Sequence, residues 1–244
     1  MIEGLYSAAS GMEAQQQMLD AISNDLANAD TTGYQSQRVG FEDLLYNQEG
    51  SATAAGVAIG SGTQTVSLGP SQVAGPIEQT GQPLDLAISG DAYFEVKQSD
   101  GTTALTRDGS FQLDADGRLT NQAGQLVQPP ITAPTGVEAA DLKVSANGDV
   151  SDGTKTLGRI ALVTVPSPEG LTQAGGNLML ASAASGAVRP ATGASIQQGA
   201  LNGSNVSLTL AMTQMMSAQQ SYDLASRALD MEQQMLQIAN GIKP

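Results

Sequence analysis

Residues 23–35 read SNDLANADTTGYQ, and a helical pattern that runs into this stretch from the N-terminus stops inside it. Upstream, Leu5, Met12, Leu19 and Leu26 recur at strict heptad spacing, with Ile2, Ala9 and Ile22 beside them. That spacing predicts an amphipathic helix over about residues 2–28 with a narrow, coiled-coil-like apolar seam. At about 100° per residue, Asn24 and Asn28 fall away from Ile22 and Leu26. Gly33 supplies a left-handed stop. Asparagine is a mediocre helix former, and a solvated face is more often filled with Lys, Glu or Arg. Neutral amides can both donate to and accept from identical neighbours without accumulating like charge. The amide face therefore has two readings, one facing water and one packed against another molecule.

Working outward, the C-terminal end repeats the pattern. Leu208, Met215, Tyr222, Leu229 and Leu236 form a second heptad, accompanied by Ala211, Ala218, Ala225 and Ala239. Ser204 or Asn205 offers an N-cap and Gly241 an end. Two long helices, each with one apolar stripe, are expected to pair. Between them the period falls to two. LDLAIS, AYFEVKQ, TALTRD, SFQLDA and RLTNQ read as short strands, with turns at Ser99-Asp100-Gly101 and Asp114-Ala115-Asp116-Gly117. Further strands are expected at LKVSA, with Asn147-Gly148 turning, and at GRIALVTV; residues 166–204 read as a loop-rich return. The fold class is α+β: N- and C-terminal helices pairing as a coiled-coil-like domain around an irregular, mainly antiparallel β centre.

Composition limits the chemistry. The 244 residues carry 10 Lys+Arg against 24 Asp+Glu, a net charge of −14 that repels nucleic acid and anionic membrane surfaces. Cysteine and histidine are both absent, so disulfides, Cys/His zinc sites and histidine-based nucleophilic machinery are excluded. No apolar run approaches the roughly 18 residues of a membrane span, and the N-terminal residues lack the basic and apolar regions of a cleaved signal. Neither direct membrane insertion nor a cofactor or metal is expected.

Several strings imitate functional signatures. Gly148 to Thr156 resembles a phosphate loop, but a residue separates Gly153 from Lys155 and the context is a hairpin. Asp114-Ala115-Asp116-Gly117 resembles the opening of a calcium loop without its later acidic ligands. Carboxylate pairs for glycosidic hydrolysis need only proximity in space, yet Tyr93, Phe94 and Phe111 are the only Phe or Tyr residues of the centre available for a sugar platform. Strand-end acids in solvent account for the carboxylates. Met212, Met215, Met216, Met231 and Met235 lie along the C-terminal helix. They suit ordinary core packing or, as adaptable thioethers, contact with irregular neighbours.

The stretch from Ser23 to Tyr34 resembles the N-terminal signature of bacterial flagellar rod and hook proteins, roughly N-N-L-A-N-x-x-T-x-G-F/Y, with Asp25 where the family usually has Asn. LDLAISGDAYFEV (84–96), with Ala92 for Gly, and TRDGSFQLDADGRLTNQAGQLVQP (106–129) resemble two further family blocks. SNVSLTLAMTQMMSAQQSYDLASRALDMEQQML (204–236) resembles the C-terminal helix, departing at Leu210, Ala211, Gln220 and Asp223. Residues 33–46 look most like the distal rod subgroup, and the loop-rich stretch up to residue 80 sits where that subgroup carries an extra extended segment.

The resemblance implies an axial structural subunit, not an enzyme. It would be exported without a cleaved signal through the flagellar type III apparatus and polymerised with copies of itself and other rod and hook proteins. The result would be a hollow shaft in the basal body, outside the cytoplasmic membrane, that transmits torque for motility. Residues 1–45 and 204–244 would form a discontinuous helical assembly domain, 46–80 an extended segment, and 81–203 a β-rich outer domain. The expected subunit interface is Leu5, Met12, Leu19, Asn24, Leu26, Asn28, Gly33, Leu208, Met215, Tyr222, Leu229 and Leu236. A proximal rod subunit or hook-type axial protein is the alternative within the family. Outside it stand a cell-wall-cleaving hydrolase and a monomeric surface binding module.

Overall fold

The structure, a computed structural model, describes residues 2–44, 46–49, 57–134, 136–153 and 155–241. The chain divides into two compact units. A helical unit comprises Met1–Ala27, Gln37–Leu68 and Ser207–Pro244, and a β unit comprises Asn28–Ser36 and Gly69–Val206.

In the helical unit, α1 spans Ile2–Ala27 and α2 spans Leu208–Gly241. Both are free of proline and rich in Ala, Leu, Met and Gln, residues that lose little rotamer freedom in a helix. They pack antiparallel: Gly4 near the start of α1 lies against Glu232 near the end of α2, where an added Cβ would sit 2.8 Å from the carboxylate oxygens. The residues buried on α2 are Ala211 and Ala218, one heptad apart, and those on α1 are Ala14 and Ile22. The alanines, rather than the Leu–Met–Tyr heptad, form the stripe that α2 covers, because small side chains let helix axes approach closely.

The cap of α2 also differs from expectation. The carbonyl of Ser207 accepts the first helical N–H, from Ala211, at 2.8 Å. Ser204 and Asn205 lie before the helix: the Ser204 hydroxyl accepts from the Val206 N–H, and the Asn205 amide is committed to the chain around residue 36.

Two strand pairs complete this unit, Gln37–Asp43 with Thr63–Pro70 and Tyr46–Glu49 with Val57–Gly60. Residues 50–56 of the expected extended segment lie outside the described residues. The Thr63 N–H donates to Ser10 Oγ at 3.2 Å, and the Thr65 hydroxyl donates to Gln17 Oε1, so this hairpin lies on α1. The Gln37 N–H donates to Asp25 Oδ1 at 3.1 Å.

The β unit is built on a nine-stranded antiparallel sheet among the described residues. Tyr93–Lys97 is central and pairs with Thr103–Thr106, Leu126–Val127 and Leu162–Thr164. Both sheet faces are covered there, which is why the run Tyr-Phe-Glu-Val is apolar at three of four positions. Phe94 and Val96 enter a core with Leu86, Ile88 and Val127, and Tyr93 enters a second cluster with Leu105, Val163 and Met179. Phe94 meets Phe111 edge-on, with ring centroids 5.0 Å apart.

The expected strand GRIALVTV is two strands, Thr156–Arg159 and Leu162–Thr164, which belong to different sheets. The 166–204 return is richer in strands than its composition suggested, with Thr172–Gly175, Leu178–Leu180, Arg189–Pro190, Ser195–Gln198 and Ala200–Asn202. Their length hides them, since two to four residues cannot establish a period of two.

Candidate functional site

On the helical unit, Leu5, Met12, Leu19 and Leu26 are half-buried on α1, and Asn24 is exposed. On α2, Met215 and Leu229 are half-buried, whereas Leu208 and Tyr222 are exposed. The side chains of Ile2, Leu236 and Ala239 lie outside the described part. The helix leaves far more apolar surface open than its heptad accounts for. Leu210, Met212, Met216, Leu224, Met231, Met235 and Ile238 are all exposed, from 48% at Met212 to 66% at Leu224. At 100° per residue, Leu224, Met231, Met235 and Ile238 fall on one stripe. The heptad reading missed this stripe; the i, i+7 spacing of Leu224, Met231 and Ile238 with Met235 at i+4 from Met231 was the signal for it.

The signature residues after Ala27 belong to the β unit. Asn28 Oδ1 accepts the Thr31 hydroxyl at 3.2 Å, and the Thr31 N–H donates to the Asn28 carbonyl at 3.1 Å, closing a turn just beyond α1. Gly33 has φ +68°, so its backbone is left-handed as expected, but α1 already ends at Ala27 and the glycine turns the chain six residues further on rather than stopping the helix. A Cβ there would also lie 2.6 Å from Asp108 Cα and 2.7 Å from the Arg107 carbonyl carbon, so the backbone itself fills the space. Around Gly33 the chain is held on all sides. Its N–H donates to the Asn202 carbonyl at 2.7 Å, the Thr32 hydroxyl donates to Asp108 Oδ1 at 3.2 Å, and Asn177 Nδ2 donates to the Thr32 carbonyl at 2.8 Å. The Ser36 N–H donates to Asn205 Oδ1 at 2.8 Å, while Asn205 Nδ2 donates to the Val73 carbonyl at 2.8 Å.

Asn202 is buried, and its amide spans both backbone groups of Ile88: it accepts the N–H at 2.7 Å and donates to the carbonyl at 3.0 Å. Segments 28–36 and 202–205 thus form an intrachain clasp. Asn177, Asn202, Asn205 and Asp108 were not anticipated as its partners; Asn-Gly at 202–203 reads as a turn, and nothing local pairs positions 76 or more residues apart. Asp25, which departs from the family pattern, uses a carboxylate oxygen to accept the Gln37 N–H, a role that an asparagine carbonyl oxygen fills equally.

Electrostatics divide the arginines of the β unit. Arg118 holds Asp114 and Asp116 at 2.8 Å each across the predicted hairpin turn. The Asp116 N–H, and then Arg118, hold the Asp114 carboxyl below its ordinary pKa. The calcium-loop resemblance is therefore occupied by an arginine clamp. Arg107 is buried, with its guanidinium 5.1 Å from the Tyr93 ring centroid. Burial raises the Tyr93 pKa above its ordinary value near 10, against the opposing pull of Arg107 and then of the Gln35 amide. Gln35 approaches that hydroxyl without satisfying its own buried amide, neither atom of which forms a well-aligned hydrogen bond among the described residues. Among the described residues, no group of three or more Asp or Glu side chains is placed to hold a metal ion, and no helix is long and apolar enough to cross a membrane.

Comparison with known proteins places this geometry in a family. A profile described as flagella basal body rod protein matches residues 5–35, covering most of α1 and the clasp up to Gln35. One described as the flagellar hook protein FlgE/F/G D1 domain matches 87–152, and one described as the FlgEFG C-terminal region matches 197–242. The chain is 34% identical to the flagellar basal-body rod protein FlgG of Borreliella burgdorferi, across 100% of this chain and 99% of the relative. It is 35% identical to that of Caulobacter vibrioides (99% and 100% covered) and 36% identical to that of Bacillus subtilis (97% of each). With relatives matched over nearly their whole length, and with most of α1 and of the clasp and all of α2 inside matched segments, the chain belongs to the flagellar basal-body rod protein family.

Proposed function

We propose that this protein is a structural subunit of the distal rod of the flagellar basal body and that it acts by polymerising. Copies of it, joined to other rod and hook proteins, build a hollow axial shaft that carries torque for motility; it has no catalytic role. The observation that carries this reading is the open stripe Leu224–Met231–Met235–Ile238 on α2, beside exposed Leu208, Leu210, Met212 and Met216. Apolar surface of this extent on one helix marks an interaction site. Each fully covered Leu or Met contributes about 1.5–3 kcal/mol, so the stripe supplies a large driving force for stacking. Methionine adapts to irregular neighbours, which suits a helix that meets several subunits at once.

On this reading α1 and α2 form the assembly domain, packing in coiled-coil fashion with helices of neighbouring copies through Leu5, Met12, Leu19, Leu26, Met215, Tyr222 and Leu229. Asn24 adds amide contacts to neighbours. The segment of residues 46–80 reaches along adjacent subunits and stiffens the tube, and the β unit faces outward. Export through the flagellar type III apparatus without a cleaved signal accords with the absence of cysteine, since no disulfide has to be undone. Sedimentation of the purified chain at rising concentration, with helicity followed in parallel, tests the reading. Wild type is expected to form growing particles and to gain helicity, and Leu224→Asp combined with Met231→Asp is expected to stay small while its β unit melts normally. Assembly of the double variant to wild-type size would overturn the proposal.

A further inference from the structure

Arg107 and Arg118 are satisfied in the reverse order of their exposure. Arg118 is 41% exposed yet holds two carboxylates at 2.8 Å through Nη2, although its Nε, like that of Arg107, has no partner among the described residues. The Arg107 side chain is 5% exposed, and its nearest carboxylate, Asp91, stands 3.8 Å away while itself 92% exposed. Among the described residues, Arg107 Nη2 makes one long hydrogen bond, to the Gly90 carbonyl at 3.5 Å, and its buried Nε has no partner. A guanidinium carries five donors in a fixed fork and is costly to bury without acceptors. The Tyr93 ring beneath it holds the plane of the fork in place. The same side chain lines a cleft of about 210 Å³ with Gln72, Asp91, Tyr93, Thr164, Pro166 and Pro168. The cleft thus contains a buried, pre-oriented cation, further hydrogen-bonding side chains and a weakly engaged acid at its rim.

We propose that the Arg107 cleft is the seat for an Asp or Glu side chain presented by a second copy of this chain, with Asp91 as the tethered competitor in the isolated subunit. The proposal rests on the polymeric reading above. Each copy carries 24 acids against 10 bases, so stacked copies repel unless carboxylates meet cations across the contact. Arg107 is a buried cation with donors to spare, and burial is where a forked ion pair gains most. The incoming carboxylate accepts from the guanidinium fork, while Gln72 and Thr164 supply further hydrogen bonds at the mouth.

The test uses the full chain at a dilution where it is a single subunit, labelled with ¹⁵N-arginine. The Nε–H resonance of Arg107 is identified by its loss in Arg107→Lys. N-acetyl-glutamate α-amide, which has one side-chain carboxylate and no other charge, is expected to shift that resonance saturably, and its methyl ester is not. Asp91→Asn removes the competitor and should lower the midpoint by about two- to five-fold, the range of a weak exposed ion pair. The same acid, and not the ester, should slow particle growth in sedimentation. Absence of a saturable shift in both wild type and Asp91→Asn would overturn the proposal. So would inorganic phosphate binding as tightly as the acid, or growth indifferent to saturating acid. Failure of wild type to polymerise at all would overturn the polymeric reading instead, while the titration on single subunits still reports on the cleft.

Discussion

Replacing Gly33 with alanine probes the clasp at its tightest point. The left-handed φ of +68° alone costs a non-glycine residue about 1–2 kcal/mol. The larger effect is steric, because the new Cβ would lie 2.6 Å from Asp108 Cα and 2.7 Å from the Arg107 carbonyl carbon, and backbone cannot swing aside as a side chain can. Relief requires segment 32–34 to lift from residues 107–108. That lift breaks the Thr32–Asp108 hydrogen bond and strains those from Gly33 to Asn202 and from Asn177 to Thr32. One bond lost and two weakened by half are equivalent to about two bonds at about 1–1.5 kcal/mol each, adding about 2–3 kcal/mol, for a total of about 3–5 kcal/mol. Gly124→Ala is the internal control: it too has positive φ, +78°, but nothing lies within 4 Å of its added Cβ. The conformational term is common to both variants, so the difference isolates the steric part. Urea unfolding of the two, followed by the near-ultraviolet dichroism of buried Tyr34 and Tyr93, should place Gly33→Ala about 2–3 kcal/mol below Gly124→Ala. Equal destabilisation of the two would refute the claim that backbone contact, rather than φ, fixes glycine at this position.

Asn202→Ala leaves the buried N–H and carbonyl of Ile88 without partners and should cost about 2–4 kcal/mol in urea unfolding; a loss below the error of that measurement would contradict the bridging role. Tyr93→Phe bears on alkaline stability. Burial raises the folded-state pKa of Tyr93, so its contribution is present below the ordinary value near 10 and lost as pH rises past it toward the folded value. The phenylalanine variant should therefore lose less stability between about pH 9 and 11 than wild type, and parallel pH profiles would count against this. Leu26→Asp and Leu229→Asp each place a charge at a half-buried position of the helical unit; sedimentation should show no assembly while the β-unit melting point stays within about 2 °C of wild type, less than the shift that 1 kcal/mol produces in a chain of this size.

The two helices were legible because heptad periodicity over three or more turns is a strong signal, and the observed limits, Ile2–Ala27 and Leu208–Gly241, fall close to those read from it. The strands around Leu86–Ser89, Tyr93–Lys97 and Thr103–Thr106 were legible from alternation bounded by turn residues, and Gly101, Gly117 and Gly148 adopt the positive φ that those turns need. The face that α2 buries was not. Ala218 and Met215 are equally apolar in a pattern, and which of them is covered depends on how closely another helix approaches. The role of the signature was legible only in part. Its glycine could be read from local sequence, but the partners that hold it, Asn177, Asn202 and Asp108, are set by long-range topology. The unsatisfied fork of Arg107 likewise arises from burial, which no local pattern of a single arginine expresses.

The central claim is that the apolar stripe of α2 is open on the subunit and covered in the polymer. The chain contains no cysteine, so Leu224→Cys introduces a single thiol at the most exposed of the described large apolar side chains on that helix. Its rate of maleimide labelling, measured on dilute subunits and again on pelleted assemblies, reads coverage directly. Fast labelling of the subunit and protection of at least about ten-fold in the assembly, equivalent to about 1.4 kcal/mol of closure, is the predicted result. Equal rates in the two states would contradict the account.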